Sequence, residues 1–294
     1  MKSLHTKAFY VVIIIALVLL FGLLLTLQFY NYKREVIPLA TKEGSMLIRK
    51  DVRYCKTNNV SQEYDLYTPA NDTESNAPLV VQIHGGGWRW GTKIKGIAEH
   101  YAQPLTDRNI ALASVDYRLA DEATYPAQNN DIHCAIEHLV SNASRYGINP
   151  NRIIIMGDSA GGHLAALEAL NDTRKNIKGT VLFYGVSDLW KQITKYTDDN
   201  ALHYLGTRDE ALAKRASPLY QDLTNAPPFL LIHGTSDTVV PASESKIFAD
   251  ALIKSGNQAT YLPIESANHG FADTTAASEL KAREAVLVFI ETYI

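Results

Sequence analysis

Beyond residue 78 the chain repeats one pattern, a short and mostly apolar run followed by a helical segment. The runs are Leu79–Ile83, Ile110–Val115, Arg152–Met156, Gly179–Tyr184 and Phe229–Ile232. Strands buried on both faces read this way, because neither face is left for polar side chains. Helical patterns intervene at Asn129–Tyr146, Ala160–Leu170, Ser243–Lys254 and Ala276–Ile294. The alternation predicts an α/β architecture, a mostly parallel central sheet with helices on both faces. Upstream, Met46–Tyr54 and Gln62–Tyr67 predict two more strands, the second alternating Tyr64 and Leu66 with Glu63 and Asp65. Asn71–Pro78 predicts a turn. Ser187–Tyr220 breaks the rhythm: it is polar, carries Trp190, Tyr196 and Tyr204, and is longer than a sheet connection needs. It predicts a small helical cap insertion over the carboxyl edge of the sheet. Residues 36–294 therefore read as one domain.

The hydrophobic content of 46% is unevenly spread. From Ala8 to Leu27 only Gly22 and Thr26 interrupt an apolar run, which as a helix reaches roughly 30 Å, the thickness of a bilayer's hydrocarbon core. The run is longer than a signal-peptide core, and Leu27-Gln28-Phe29-Tyr30 offers no small-residue cleavage site. Residues 1–35 are expected to form an uncleaved, single-pass membrane anchor with its flanks. Lys2 and Lys7 on one side nearly balance Lys33, Arg34 and Lys42 on the other. That leaves orientation open, with the extracytoplasmic side preferred. Beyond Glu35, 24 basic side chains stand against 30 acidic ones, which argues against nucleic acid as a partner. Cys55 and Cys134 have no metal-ligand spacing and read as small buried residues or one disulfide.

The chemistry concentrates at turns that follow strands. Ile153-Ile154-Ile155-Met156-Gly157-Asp158-Ser159-Ala160-Gly161-Gly162-His163-Leu164 is a buried strand, a glycine-bounded serine and a helical pattern. This is the context of a nucleophile elbow, where Gly157 and Gly161 let a strained turn close and lift the Ser159 hydroxyl clear of the sheet. Ser159 also stands at a helix start, which favours developing negative charge. His84-Gly85-Gly86-Gly87-Trp88 directly follows another buried strand. Three glycines let backbone N–H groups approach an oxyanion, and the candidates are Gly85, Gly86 and Gly87 together with Ala160. His84 reads as structural. Trp88 and Trp190 are candidate pocket residues.

A nucleophilic serine needs a base, and the base needs a carboxylate to fix its tautomer. His269 lies in Ile264-Glu265-Ser266-Ala267-Asn268-His269-Gly270-Phe271, between the last strand and the final helix. His100, His133, His138 and His163 fall in helical patterns, His203 in the insertion and His233 on a strand end. Asp237 follows the strand Phe229–Ile232, and the order Ser159, Asp237, His269 suits a serine hydrolase of this architecture. Asp188 and Glu265 are rival carboxylates, and Asp158 reads as a local turn residue.

These motifs resemble the α/β-hydrolase fold, and within it the hormone-sensitive-lipase-like serine esterases, especially their bacterial carboxylesterase branch. Asp116-Tyr117-Arg118-Leu119 and Tyr125-Pro126-Ala127 add to the likeness, which extends over residues 60–294. The resemblance implies hydrolysis of a small-molecule ester without cofactor or metal, and a structural role for Asp116-Tyr117-Arg118-Leu119 beneath the glycine loop. Short to medium acyl esters are the expected substrates. The same group includes amide and formamide hydrolases, which leaves that chemistry as the alternative. A binding module that has lost its triad and a peptidase needing a further gating domain are the other readings. Many relatives carry a longer amino-terminal cap, whereas the residues after the anchor are occupied here by strands.

Overall fold

A computed structural model describes residues 39–55, 59–70, 76–94, 97–271 and 274–294. The expected membrane segment Ala8–Leu27 lies outside them. Among the described residues no helix is long and apolar enough to cross a membrane.

Residues 39–294 form one compact unit around a nine-stranded sheet in the order β1-β2-β3-β5-β4-β6-β7-β8-β9. The strands are β1 Thr41–Glu43, β2 Met46–Arg53, β3 Glu63–Pro69, β4 Ala77–Ile83, β5 Ala111–Val115, β6 Ile148–Asp158, β7 Ile177–Phe183, β8 Phe229–Gly234 and β9 Ala259–Ile264. From β5 to β9 every pairing is parallel, while β1, β2 and β3 join antiparallel. The expected mostly parallel sheet is thus present. Every residue of β4, β5 and β8 is buried, which accounts for their unbroken apolar runs.

The helices are α1 Ile97–Thr106, α2 Ala127–Ser141, α3 Ala143–Tyr146, α4 Ala160–Asn171, α5 Leu189–Lys195, α6 Asp199–Leu205, α7 Glu210–Arg215, α8 Ser243–Lys254 and α9 Ala276–Tyr293. Several expectations need correcting. The single helix over Asn129–Tyr146 is two, broken at Asn142, whose side chain and N–H both bond the His138 carbonyl. Ala77 and Pro78 belong to β4 rather than to a turn. β6 continues through Gly157 and Asp158, so Asp158 closes a strand instead of sitting in a turn. Cys55 and Cys134 pair as a disulfide.

Ser187–Tyr220 folds as α5, α6, α7 and a 3-10 turn at Pro218–Tyr220. Each short helix opens on an aspartate, Asp188, Asp198 or Asp209, whose carboxylate accepts a backbone N–H of the first turn. Local capping explains how this polar segment becomes helical without a broad apolar stripe.

Candidate active site

Parallel register brings the functional turns to one edge. Ile83 pairs with Gly157, and Gly234 pairs with Ile264. The loops leaving β4, β6, β8 and β9 therefore open side by side. Ser159 has φ +51° between β6 and α4, and its N–H is held by the Phe183 carbonyl at 2.8 Å. A Cβ on Gly157 would collide with the Gly161 backbone, so the turn closes only on glycine.

The Ser159 hydroxyl lies 3.0 Å from His269 Nε2, and His269 Nδ1 lies 2.7 Å from Asp237 Oδ2. Because the Nδ1–H faces a carboxylate, Nε2 is left as the acceptor for the serine proton. Asp237 has a fully buried side chain. Its Oδ1 accepts the N–H groups of Val239 at 2.8 Å and Val240 at 2.9 Å. Burial alone would raise the Asp237 pKa, but hydrogen bonds from His233 and His269 and from Val239 outweigh it and hold the carboxyl well below the usual range. His233 contributes directly: its Nε2 faces Asp237 Oδ2 at 3.2 Å and the Val240 carbonyl at 2.8 Å, while Nδ1 meets Ser245 Oγ at 2.7 Å. Two acceptors at Nε2 place the proton there, with the Ser245 hydroxyl donating to Nδ1. The two rival carboxylates are committed elsewhere. Asp188 caps α5 and accepts the Tyr220 hydroxyl at 2.9 Å, and Glu265 faces Thr235.

The glycine loop supplies donors unequally. Gly86 has φ +110°, and a Cβ there would strike the Trp90 carbonyl. The N–H groups of Gly86 and Gly87 take no backbone acceptor among the described residues, and both glycines line the cavity over Ser159. Gly85 is different: it is buried, lines neither cavity at the site, and lies against Asp158. It therefore anchors the loop instead of facing an oxyanion, which leaves Gly86, Gly87 and Ala160 of the four expected donors.

Beneath the loop, the Asp116-Tyr117-Arg118-Leu119 segment braces the strand ends. Asp116 accepts the Lys93 N–H at 2.5 Å and faces His84 Nε2 at 3.5 Å. The Tyr117 hydroxyl donates to the His84 carbonyl at 3.0 Å, with the two rings stacked at 4.4 Å. Arg118 grips Asp131 through side chain and N–H. His84 is buried and structural, as its position suggests.

Trp88 is only 1% exposed and reaches the cavity at its margin. Its indole stacks on Tyr204 at 4.9 Å and its Nε1–H donates to His163 Nδ1 at 3.3 Å. His163 Nε2 meets the Ala216 carbonyl at 2.6 Å. Burial pushes the His163 pKa down to about 4, which keeps this ring neutral. Trp190 lines neither cavity at the site, because α5 turns Leu189, Gln192 and Ile193 inward instead. The insertion meets the Ser159 cavity through Tyr196, Asp198 and Asn200.

Two cavities, each of about 580 Å³, lie at the site. One holds Ser159 and His269, and the other runs between α1 and α9. Asp158, Tyr184 and Gly270 line both. Asp158 has its pKa pushed up to about 6 by burial, against the opposing effects of the Gly85 N–H and His269. Tyr184 has φ +41° and packs edge-on against the His269 ring at 4.6 Å. Neither residue stands out in the sequence. The signal for both is position alone, since each ends or follows a central strand at the functional edge.

In sequence and fold the chain is similar to esterases. Esterase LipQ of Mycobacterium tuberculosis is 30% identical over 236 residues, covering 73% of this chain and 55% of LipQ. Isoprenylcysteine alpha-carbonyl methylesterase ICME of Arabidopsis thaliana is 30% identical over 235 residues, covering 70% of this chain and 53% of ICME. The chain thus spans about half the length of these curated relatives. Among solved structures, the propionate-bound esterase Est2 of Thermogutta terrifontis superposes with a TM-score of 0.67 at 26% identity, covering 84% of this chain and 95% of Est2. A carbohydrate esterase from gut microbiota shares the fold, with a TM-score of 0.72 at 22% identity over 86% of this chain and 99% of that one. The BD-FAE profile matches residues 64–252, from β3 through most of α8, and the chain belongs to this family of hormone-sensitive-lipase-like α/β hydrolases.

Proposed function

We propose that the protein is a serine carboxylesterase that works through an acyl-enzyme. The observation that carries this reading is the continuous Ser159–His269–Asp237 hydrogen-bonded chain at a strained elbow. Ser159 Oγ attacks the acyl carbonyl carbon as His269 Nε2 takes its proton. The N–H groups of Gly86, Gly87 and Ala160 receive the oxyanion. Collapse expels the alcohol, which leaves with the proton from His269. A water then gives its proton to His269 and attacks the acyl-serine, and release of Ser159 Oγ with that proton frees the acid. The likeness to esterases, one of them an Est2 form phosphorylated by paraoxon at 25% identity, supports this chemistry.

Turnover of p-nitrophenyl acetate tests it. The full chain hydrolyses the ester, and Ser159→Ala lowers kcat by at least a thousandfold, the scale of losing an activated nucleophile. Paraoxon adds one diethylphosphoryl mass to the wild type and none to Ser159→Ala. Undiminished turnover by the variant would overturn the assignment.

For location, we propose that Ala8–Leu27 anchors the enzyme in a membrane with the catalytic part on the extracytoplasmic side. The Cys55–Cys134 pairing supports an oxidising compartment. Protease treatment of intact cells and of opened membranes tests the side. Digestion of the domain only after opening would place it inside.

A further inference from the structure

We infer that His233 is a positioning residue of the triad: through Asp237 it sets how tightly His269 holds the proton taken from Ser159, and so the pH below which the enzyme stops working. The inference deepens the esterase reading above and rests on it. Its ground is that two imidazoles meet one carboxylate oxygen. Asp237 Oδ2 lies 2.7 Å from His269 Nδ1 and 3.2 Å from His233 Nε2. The side chains of His233 and Asp237 are fully buried, so water does little to screen the pair.

A buried histidine at a strand end is accounted for by packing alone when its ring only ties two loops together. Here the loops are already tied. Asp237 Oδ1 holds the N–H groups of Val239 at 2.8 Å and Val240 at 2.9 Å. Asn268 Oδ1 accepts the N–H groups of Thr238 at 3.0 Å and His269 at 2.8 Å, and the Ala267 carbonyl accepts that of Ser236 at 3.0 Å. These bonds fix the aspartate loop against the histidine loop without His233. What His233 adds is an N–H facing the oxygen that also faces His269. Its partners orient the ring: Ser245 Oγ at 2.7 Å donates to Nδ1, and the Val240 carbonyl at 2.8 Å shares the Nε2 proton with Asp237. Glu244 pins this end of α8 by accepting the N–H groups of Ser187 at 3.2 Å and Asp188 at 3.0 Å and the Lys191 ammonium at 2.8 Å. Ser245 is therefore presented to His233 by a fixed turn.

A donor at Oδ2 draws charge away from the bond to His269 and weakens the hold on its imidazolium. Without that donor more of the carboxylate charge falls on His269, which then keeps a proton to higher pH. Burial raises the Asp237 pKa, and hydrogen bonding from His233 is the largest effect opposing it, ahead of that from His269. Other titratable groups lie around His269. Asp158 acts on it from the end of β6, and Tyr184, after β7, packs on its ring at 4.6 Å. Glu265 of its own loop faces Thr235, and Glu244 of α8 is taken up by Lys191 and the cap.

The test is the pH profile of kcat/KM for p-nitrophenyl butanoate with the full chain, whose acid limb reports the base of the free enzyme. His233→Leu removes the donor, His233→Gln keeps an amide N–H, and Ser245→Ala weakens the donor by freeing Nδ1. The acid limb is expected to rise by about one pH unit in His233→Leu and about 0.3 unit in Ser245→Ala, and to stay within about 0.2 unit of the wild type in His233→Gln. Ser245→Ala only trims a hydroxyl, and it decides the matter where His233→Leu does not fold. Because the Asp158 pKa is pushed up to about 6 by burial, each profile is repeated with Asp158→Asn, where the shift is expected to persist. A kcat/KM lowered at every pH with the limb unmoved is the mark of a packing role; it overturns the inference and leaves the esterase reading standing. A shift that disappears in Asp158→Asn does the same. A wild type that turns over no ester and takes no paraoxon overturns that reading, and the inference with it.

Discussion

A carboxyl group one residue ahead of the nucleophile faces both cavities, and its chemistry makes Asp158 more than a spacer in the elbow. It packs against Gly85, whose N–H lowers its pKa, and this contact joins the loop carrying Gly86 and Gly87 to the strand carrying Ser159. An oxygen acceptor is all that tie requires. Asp158→Asn should hold the loop, whereas Asp158→Ala should release it and lower kcat about tenfold with little change in KM, a fraction of what one lost oxyanion donor costs. Steady-state kinetics on the two variants checks this, and equal losses in both would refute the tie. The same residue makes a prediction about pH. Its folded pKa of about 6 lies above its unfolded value near 3.8. The folded state therefore carries a desolvation cost that is absent at pH 4 and appears as pH rises through 6, amounting to about 2 to 3 kcal/mol. Asp158→Asn removes it. In urea unfolding the variant should match the wild type near pH 4 and exceed it by up to about 2 kcal/mol at pH 8. A constant difference across that range would contradict the assigned cost.

The cap and the glycine loop are coupled through one aromatic cluster. Tyr204 of α6 is fully buried, stacks on Trp88, and donates its hydroxyl to Asn129 Oδ1 at 2.7 Å. Trp88 in turn bonds His163 of α4. Tyr204→Ala should cost about 3 to 5 kcal/mol of stability, the range for a large buried aromatic, and raise KM because α6 carries Asn200 against Gly87. Denaturant unfolding and KM for p-nitrophenyl butanoate read the two effects, and a stability loss without any KM change would uncouple the cap from the loop. This scale also shows what local sequence can reveal. The elbow, the glycine loop and the three triad residues are legible because each motif follows an apolar strand and the parallel register aligns those strand ends. α1 is harder to read: Ile97, Ala98, Tyr101, Ala102 and Leu105 have helical spacing, yet Pro104 interrupts the segment. The sequence marks α1 only as a helical pattern around His100, without bounds, and the cavity it forms with α9 has no signature, since its walls come from separated stretches of the chain. Trp190 shows the converse error, because an aromatic residue in a cap points to a pocket only once the buried face of its helix is known.

For the molecule as a whole, the order of motifs specifies the sheet while long-range closure remains hidden. Cys55 precedes β3 and Cys134 lies in α2, 79 residues apart, and nothing in their spacing distinguishes a pair from two buried thiols. The fold brings their Cα atoms to 5.7 Å, within ordinary disulfide range. Closing a loop of that length removes unfolded-state entropy worth at most about 4.5 kcal/mol, and native bridges commonly deliver about 2 to 4. Neither cysteine lines a cavity at the site, so the bond should act on stability and leave catalysis to the triad. Cys55→Ala/Cys134→Ala is therefore expected to lose about 2 to 4 kcal/mol in urea unfolding while keeping its kcat for p-nitrophenyl acetate at 25 °C. Reducing the wild type with dithiothreitol should reproduce that loss and leave the double variant unaffected. A wild type indifferent to the reductant, with both thiols alkylated by iodoacetamide beforehand, would mean that the bridge does not form in the enzyme as isolated. The case for an oxidising compartment would then rest on the anchor alone.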